Sequence, residues 1–250
     1  MTYFFRRAAG ALAVLCLPSP LIRAQSPTLN TGTKPAKARV ATYIHIDKLP
    51  LVAIIPAPPA TDSSVAKAEF TELHRIQNER TPEQVKAAQA DDAEEDIFIF
   101  RTVLGPVFNA QSLPLTAALS AHVHGDEPVA SDQLKQIFQR PRPYQLDSTI
   151  HPVCKVTTAH NAYPSGHTLS GYLLALTLAQ IVPEKSTEIL QRADDYAHNR
   201  LVCGVHTASD LVVSRMVAYA MFGSMMQEPR FQQDLAAARA ETRRALSLKQ

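Results

Sequence analysis

Residues 169–182 read Leu-Ser-Gly-Tyr-Leu-Leu-Ala-Leu-Thr-Leu-Ala-Gln-Ile-Val, an apolar run without a charged side chain. A helix rises about 1.5 Å per residue, so this one falls well short of the roughly 30 Å hydrocarbon core of a bilayer. It is apolar for most of its circumference and has no wet face of its own, which makes it a buried central helix. The remainder of the chain has to supply its surroundings. Strands draw on β-branched and aromatic residues with Gly-rich turns. Here Gly is scarce (8), Pro plentiful (18), aromatic residues 6% and Trp absent. With 250 residues, 46% of them hydrophobic, the expectation is one all-α domain with a single sizeable core.

The run is opened by Tyr163-Pro164-Ser165-Gly166-His167-Thr168. Proline is favoured in a helix's first turn, and Ser165 and Gly166 leave little side chain over the backbone. The free N–H groups and the positive end of the helix dipole suit an anion such as phosphate. His167 stands beside them as an acid or base. Met with alone, these residues are equally an ordinary helix start with a surface histidine.

The N-terminus reads as a secretory signal over residues 1–24. Arg6 and Arg7 precede a short apolar stretch, Ala8 to Leu17, and Ala24 is a cleavage point. Its removal takes Lys+Arg from 25 to 22 against 23 Asp+Glu, so the formal charge of +2 becomes −1. A nucleic-acid partner gains no support from that balance. Cys16 leaves with the signal. Cys154 and Cys203 then remain as an even pair in an exported chain, which supports a disulfide; two buried thiols are the alternative.

Residues 25–45 are read as a flexible leader and 46–250 as the catalytic domain. Pro56-Ala-Pro-Pro59 makes an extended arm. The spacing predicts helices over 65–78, 82–104, 113–124, 131–139, 186–202, 207–226 and 229–248. Asp91, Asp92, Glu94, Glu95 and Asp96 crowd the second of these and read as a solvated face. His122 and His124 fall on different faces of a helix, which disfavours a shared metal ion.

Three stretches carry the residue types of an oxyanion site. Lys135 and Arg142 supply a point charge and a planar fork that can hold two phosphate oxygens. Pro164-Ser165-Gly166-His167 follows. Arg200, His206 and Asp210 then bring a guanidinium, a histidine and a carboxylate. His206 and Asp210 are four apart, so on a helix's first turn the carboxylate can accept from one ring nitrogen and leave the other free to act as nucleophile. Taken singly, Lys135, Arg142 and Arg200 are surface cations and Asp210 a capping carboxylate.

In order and internal spacing the three stretches resemble the signature of the type 2 phosphatidic acid phosphatase superfamily: lysine, six residues, Arg-Pro; Pro-Ser-Gly-His; Ser-Arg, five residues, His, three residues, Asp. Within it the chain is similar to the class A bacterial nonspecific acid phosphatases. That likeness extends to Pro56-Ala-Pro-Pro-Ala-Thr-Asp62, Arg140-Pro-Arg142-Pro143 and Val202-Cys-Gly204. It departs at Asn199, where the signature has Ser, and at Thr207, where class A enzymes carry an aromatic.

The resemblance implies a helical bundle of the kind shared with vanadium haloperoxidases. It implies a periplasmic or secreted acid phosphatase acting on small phosphomonoesters, not embedded in a membrane, with phosphotransfer as a side activity. It implies that His206 forms a phosphohistidine, Asp210 orients it and His167 serves the leaving group. Lys135, Arg142, Ser165, Gly166 and Arg200 would hold the phosphoryl oxygens, with no metal or other cofactor. A homo-oligomer is one assembly it allows. A vanadate-dependent haloperoxidase, a lipid-pyrophosphate phosphatase and a secreted phosphate-binding protein are the competing readings.

Overall fold

The structure, a computed structural model, describes residues 39–249. The expected signal segment, Cys16 and most of the leader lie outside the described residues. Seven longer helices organise the rest: α1 (Ser64–Glu79), α2 (Pro82–Ala93), α3 (Pro114–Phe138), α4 (Gly166–Ile181), α5 (Ser186–Val202), α6 (Ala208–Met225) and α7 (Pro229–Ala245). Among the described residues there is no strand, and no helix is long and apolar enough to cross a membrane. The fold is all-α.

The apolar run becomes α4, and α3, α5, α6 and α7 all pack against it. Leu169, Leu173, Leu174, Leu178 and Ile181 of α4 are fully buried. They are joined in one core by Leu119 and Leu134 of α3, Val217 and Met221 of α6, and Phe231 of α7. The helix begins two residues later than Pro164 at its first position would set it. Ser165 is the N-cap, its hydroxyl accepting from the Thr168 N–H at 3.3 Å, and Gly166 is the first helical residue.

α4 and α5 approach each other closely at Gly171. A Cβ added at Gly171 would sit 2.7 Å from the ring of Tyr196. That ring is buried, and its hydroxyl donates to the Glu94 carbonyl at 2.7 Å, so it has no room to retreat. Gly171→Ala is therefore expected to destabilise by about 1–3 kcal/mol through overpacking, although alanine alone gains roughly 1 kcal/mol in a helix. Denaturant unfolding reads the sign; a stabilised variant would show that the ring yields.

Three sequence expectations change. Residues 113–124 and 131–139 are parts of one helix, α3, which runs through Pro128. Proline costs an internal hydrogen bond and crowds the preceding turn, but both halves are held by buried residues, Leu119 and Val123 before it and Ala130 and Leu134 after it. The helix expected over 82–104 stops at Ala93. Asp96 then caps a new turn, Ile97–Phe100, accepting from the Phe98 N–H at 2.7 Å, and all four turn residues are buried. The leader expected over 25–45 does not extend to its last residues. Tyr43 and Ile44 are buried. Their backbone N–H groups donate to the Asp126 carboxylate at 2.8 and 3.1 Å, which ties this strand of chain to α3.

Candidate phosphoryl site

The N-terminus of α4 meets the start of α6 at a polar cavity of about 340 Å3. A larger cavity of about 600 Å3, almost wholly apolar, lies against Pro56, Pro59, Val65 and Val212 and holds none of the cations discussed above. Size alone therefore does not locate the chemistry; charge does.

Four cations line the polar cavity: Lys135, Arg142, Lys155 and Arg200. Lys135 comes from the last turn of α3, where its Nζ donates to Ser131 Oγ at 3.4 Å. Arg142 sits just before a short turn, Pro143–Leu146, in extended conformation. Its fork donates to Asn161 Oδ1 at 3.0 Å, to the Val205 carbonyl at 3.1 Å and to His206 Nε2 at 2.7 Å. Burial pulls its pKa below the ordinary guanidinium value. Arg200, on the last turn of α5, is 3% exposed and donates to Asp92 Oδ1 at 2.7 Å. Among the described residues its Nε is buried without a partner.

Gly166 forms part of the floor. A Cβ there would lie 3.0 Å from Glu127 Oε1 and 3.3 Å from Lys135 Nζ, so a larger residue would crowd both. Ser165 is fully buried beneath this floor, its N–H donating to Ser214 Oγ at 2.8 Å, and it does not line the cavity. Asp210 also lies behind the cavity wall.

His206 is almost wholly buried, and its two ring nitrogens have different partners. A guanidinium can only donate, so Nε2, 2.7 Å from Arg142, is the unprotonated nitrogen. The hydrogen is then on Nδ1, which donates to Asp210 Oδ2 at 3.2 Å. Burial and the charges of Arg142 and Arg200 push the His206 pKa well below its ordinary value, so the ring is neutral. Asp210 is held in turn by the Thr207 N–H at 2.8 Å and by Arg140 at 2.6 Å. Arg140 also donates to Ser209 Oγ at 2.6 Å and to Glu69 Oε2 at 3.1 Å. Burial raises the Asp210 carboxyl to about 6, with Arg140 and the Thr207 N–H pulling the other way.

His167 faces the same cavity. Its Nε2 donates to the Asp92 carbonyl at 3.3 Å and lies 3.4 Å from Glu95 Oε1. Burial and Arg200 push its pKa down to about 3, against the pull of Asp92. Its surroundings in the protein favour the neutral form, and a proton on it needs a further negative charge nearby.

Three members of the acidic run, Asp91, Asp92 and Glu95, do not lie on a solvated face, whereas Asp96 is exposed. Asp91 is buried and accepts from Arg192 and, at 2.7 Å, from Asn199 Nδ2. Asp92 and Glu95 line the cavity. Asp91 and Asp92 face inward from the last turn of α2, and Glu95 follows the break after Ala93. Asn199 thus supports Asp91 and does not line the cavity, and Thr207 caps α6. Glu127, Asn161 and Lys155 are further cavity residues that motif spacing did not mark. His122 and His124 diverge, the first to Tyr43 Oη and the second to Ser170 Oγ, each at 2.9 Å. Cys154 and Cys203 form a disulfide that ties the loop ahead of α4 to the end of α5.

Residues 112–233 match the PAP2 superfamily. The non-specific acid phosphatase of Salmonella typhimurium is 33% identical over 75% of this chain and 78% of its own length. The non-specific acid phosphatase of Providencia stuartii is 27% identical over 92% of this chain and 96% of its own. A solved transmembrane PAP2-type phosphatidylglycerolphosphate phosphatase from Bacillus subtilis is 16% identical, with a TM-score of 0.47, over 67% of this chain and 87% of its own. With the three motifs converging on one cavity, the chain belongs to the PAP2 superfamily, among the bacterial class A non-specific acid phosphatases.

Proposed function

We propose that this protein is an exported acid phosphatase that hydrolyses small phosphomonoesters through a phosphohistidine on His206, without a metal ion. The observation that carries the reading is the fixed tautomer of His206. Its Nε2 lone pair faces a cavity lined by Lys135, Arg142 and Arg200, and Asp210 stands behind its Nδ1–H.

The ester phosphate enters with its oxygens toward the three cations and the Gly166 N–H, and the unpartnered Arg200 Nε supplies a donor that an oxygen satisfies. Arg142 exchanges His206 Nε2 for a phosphoryl oxygen, which frees the lone pair. Nε2 attacks phosphorus as the bond to the ester oxygen breaks, and the departing oxygen takes a proton from His167. His167, now neutral, takes a proton from water, and the resulting hydroxide oxygen attacks phosphorus. The P–N bond breaks with its electron pair returning to Nε2. An alcohol in place of water gives phosphotransfer. Ser165 acts by capping α4, which presents the Gly166 N–H. The cations supply the charge stabilisation that a metal ion supplies in other phosphoryl-transfer enzymes.

The test is kcat/KM for a panel of phosphomonoesters across pH, with and without a chelator. Turnover needs Asp210 ionised and His167 protonated. Asp210 titrates at about 6 and His167 at about 3, so the product of the two fractions rises to an acid plateau between those values and falls above it. A bound phosphate adds negative charge beside His167 and raises its pKa, so kcat persists to higher pH than kcat/KM. The expected result is an acid-side plateau that the chelator leaves unchanged. A profile flat into the alkaline range would overturn the assignment.

A further inference from the structure

Beside the phosphate cradle lie two carboxylates that this chemistry does not use. Glu127, in the middle of α3, is 6% exposed, and its Oε1 is buried with no hydrogen-bond partner among the described residues. That atom is 3.0 Å from the point where a Gly166 Cβ would stand, so it faces the cavity floor. Glu95 lines the same cavity with its Oε1 3.4 Å from His167 Nε2. Burial and the Glu127 charge both raise the Glu95 carboxyl above its ordinary value.

Among the described residues, none of the four cavity cations comes within ion-pair distance of either carboxylate. Arg200 is engaged with Asp92, Arg142 with Asn161, Val205 and His206, and Lys135 with Ser131. Among the described residues neither Glu95 nor Glu127 forms an ion pair with a lysine or arginine. A buried carboxylate oxygen without a donor is costly, and one beside an anion-binding floor is repelled by the phosphate as well. A positive charge on the bound molecule relieves both penalties. The direction of approach fits, because His167 serves the departing alcohol and Glu95 stands next to His167. The part of the substrate that Glu95 meets is its alcohol half; Glu127 lines the same cavity beside Gly166.

We infer that Glu95 and Glu127 form an ammonium-binding subsite, which selects phosphomonoesters whose alcohol carries a primary amine a few bonds from the ester oxygen. The cavity, at about 340 Å3, suits a small ester of this kind. The inference rests on the phosphatase reading for its orientation, though not for its binding chemistry. The same carboxylates disfavour esters with a second anionic group.

The experiment compares O-phosphoethanolamine with 2-hydroxyethyl phosphate, which has the same length and a hydroxyl in place of the ammonium. In the unsubstituted protein kcat/KM is expected to favour the amine by about tenfold or more, the worth of one charge-assisted hydrogen bond. In Glu127→Gln and in Glu95→Gln the ratio falls towards one; general losses of activity cancel in it. Calorimetric titration of both esters into His206→Ala reads the same preference without turnover.

Equal affinity and equal kcat/KM would overturn the subsite while leaving the phosphatase reading intact. Preferential binding without turnover of either ester would overturn the phosphatase reading and keep the subsite. A preference that arises only with added Mg2+ and disappears with chelator would assign the carboxylates to a metal ion and overturn the ammonium assignment.

Discussion

His206→Ala is expected to lower kcat for a chromogenic phosphomonoester by about 10^4-fold or more, because covalent catalysis loses the atom that forms the bond. The cavity's other imidazole does not replace it: His167 Nε2 is committed to the Asp92 carbonyl, and the charged lysines and arginines carry no lone pair. The ring is 1% exposed and packed against Arg142 and Asp210, so the variant also leaves a void and two buried charges with one partner fewer. Thermal unfolding alongside the kinetics separates a lost fold from a lost nucleophile. Acid quenching during turnover of a phosphate-labelled ester then traps label on the unsubstituted protein and none on the variant. Activity that survives the substitution and disappears with a chelator would replace the histidine with a metal-bound nucleophile.

Much of this site is legible in the sequence because its chemistry sits at helix ends. Lys135, Gly166, His167, Arg200 and the His206–Asp210 pair fall at starts or last turns, where local signals are strong and spacing converts to geometry. The buried central helix is equally legible, since a run with no polar face has only one kind of place to go. What the residues alone do not carry is the meaning of the acidic run. Read as one helix to Leu104, its carboxylates spread around the surface. Asp91 and Asp92, on the last turn of α2, meet partners distant in sequence, Arg192, Asn199 and Arg200, and the packing of Ile97–Phe100 into the core ends the helix before Glu95. Pro128 misleads in the opposite sense: the local cost of proline is real, but burial on both sides of it outweighs the break. Arg140 illustrates a third limit. It stands two residues from Arg142, yet turns to the far side of His206, where it meets partners distant in sequence, Glu69 and Asp210.

That far side supports the second large effect. Asp210→Asn keeps nearly the same shape and is expected to cost about 10^2- to 10^4-fold in kcat, as in other histidines that lose their orienting carboxylate. The carboxylate accepts from three donors at once, the Thr207 N–H, Arg140 and His206 Nδ1. An amide offers one acceptor oxygen and an NH2 group. Thr207 N–H and His206 Nδ1 share Oδ2 while Arg140 meets Oδ1, so an amide oxygen kept for Arg140 sets the NH2 against Thr207 N–H and His206, where it can only donate. The ring then places its lone pair on Nδ1 and its hydrogen on Nε2, which is the wrong nitrogen for attack and faces the donor Arg142. Asp210 is therefore a positioning residue, and its loss has a signature that simple destabilisation lacks. The fall in kcat/KM above about pH 6, assigned to the Asp210 carboxyl, should disappear from that place in the variant while KM changes little. An unchanged pH profile with an unchanged kcat would show that His206 holds its tautomer without Asp210. Arg140→Ala tests the same chain one step further back: removing the guanidinium leaves a buried Asp210 with its charge less compensated, so its carboxyl rises further and the upper limb moves to higher pH.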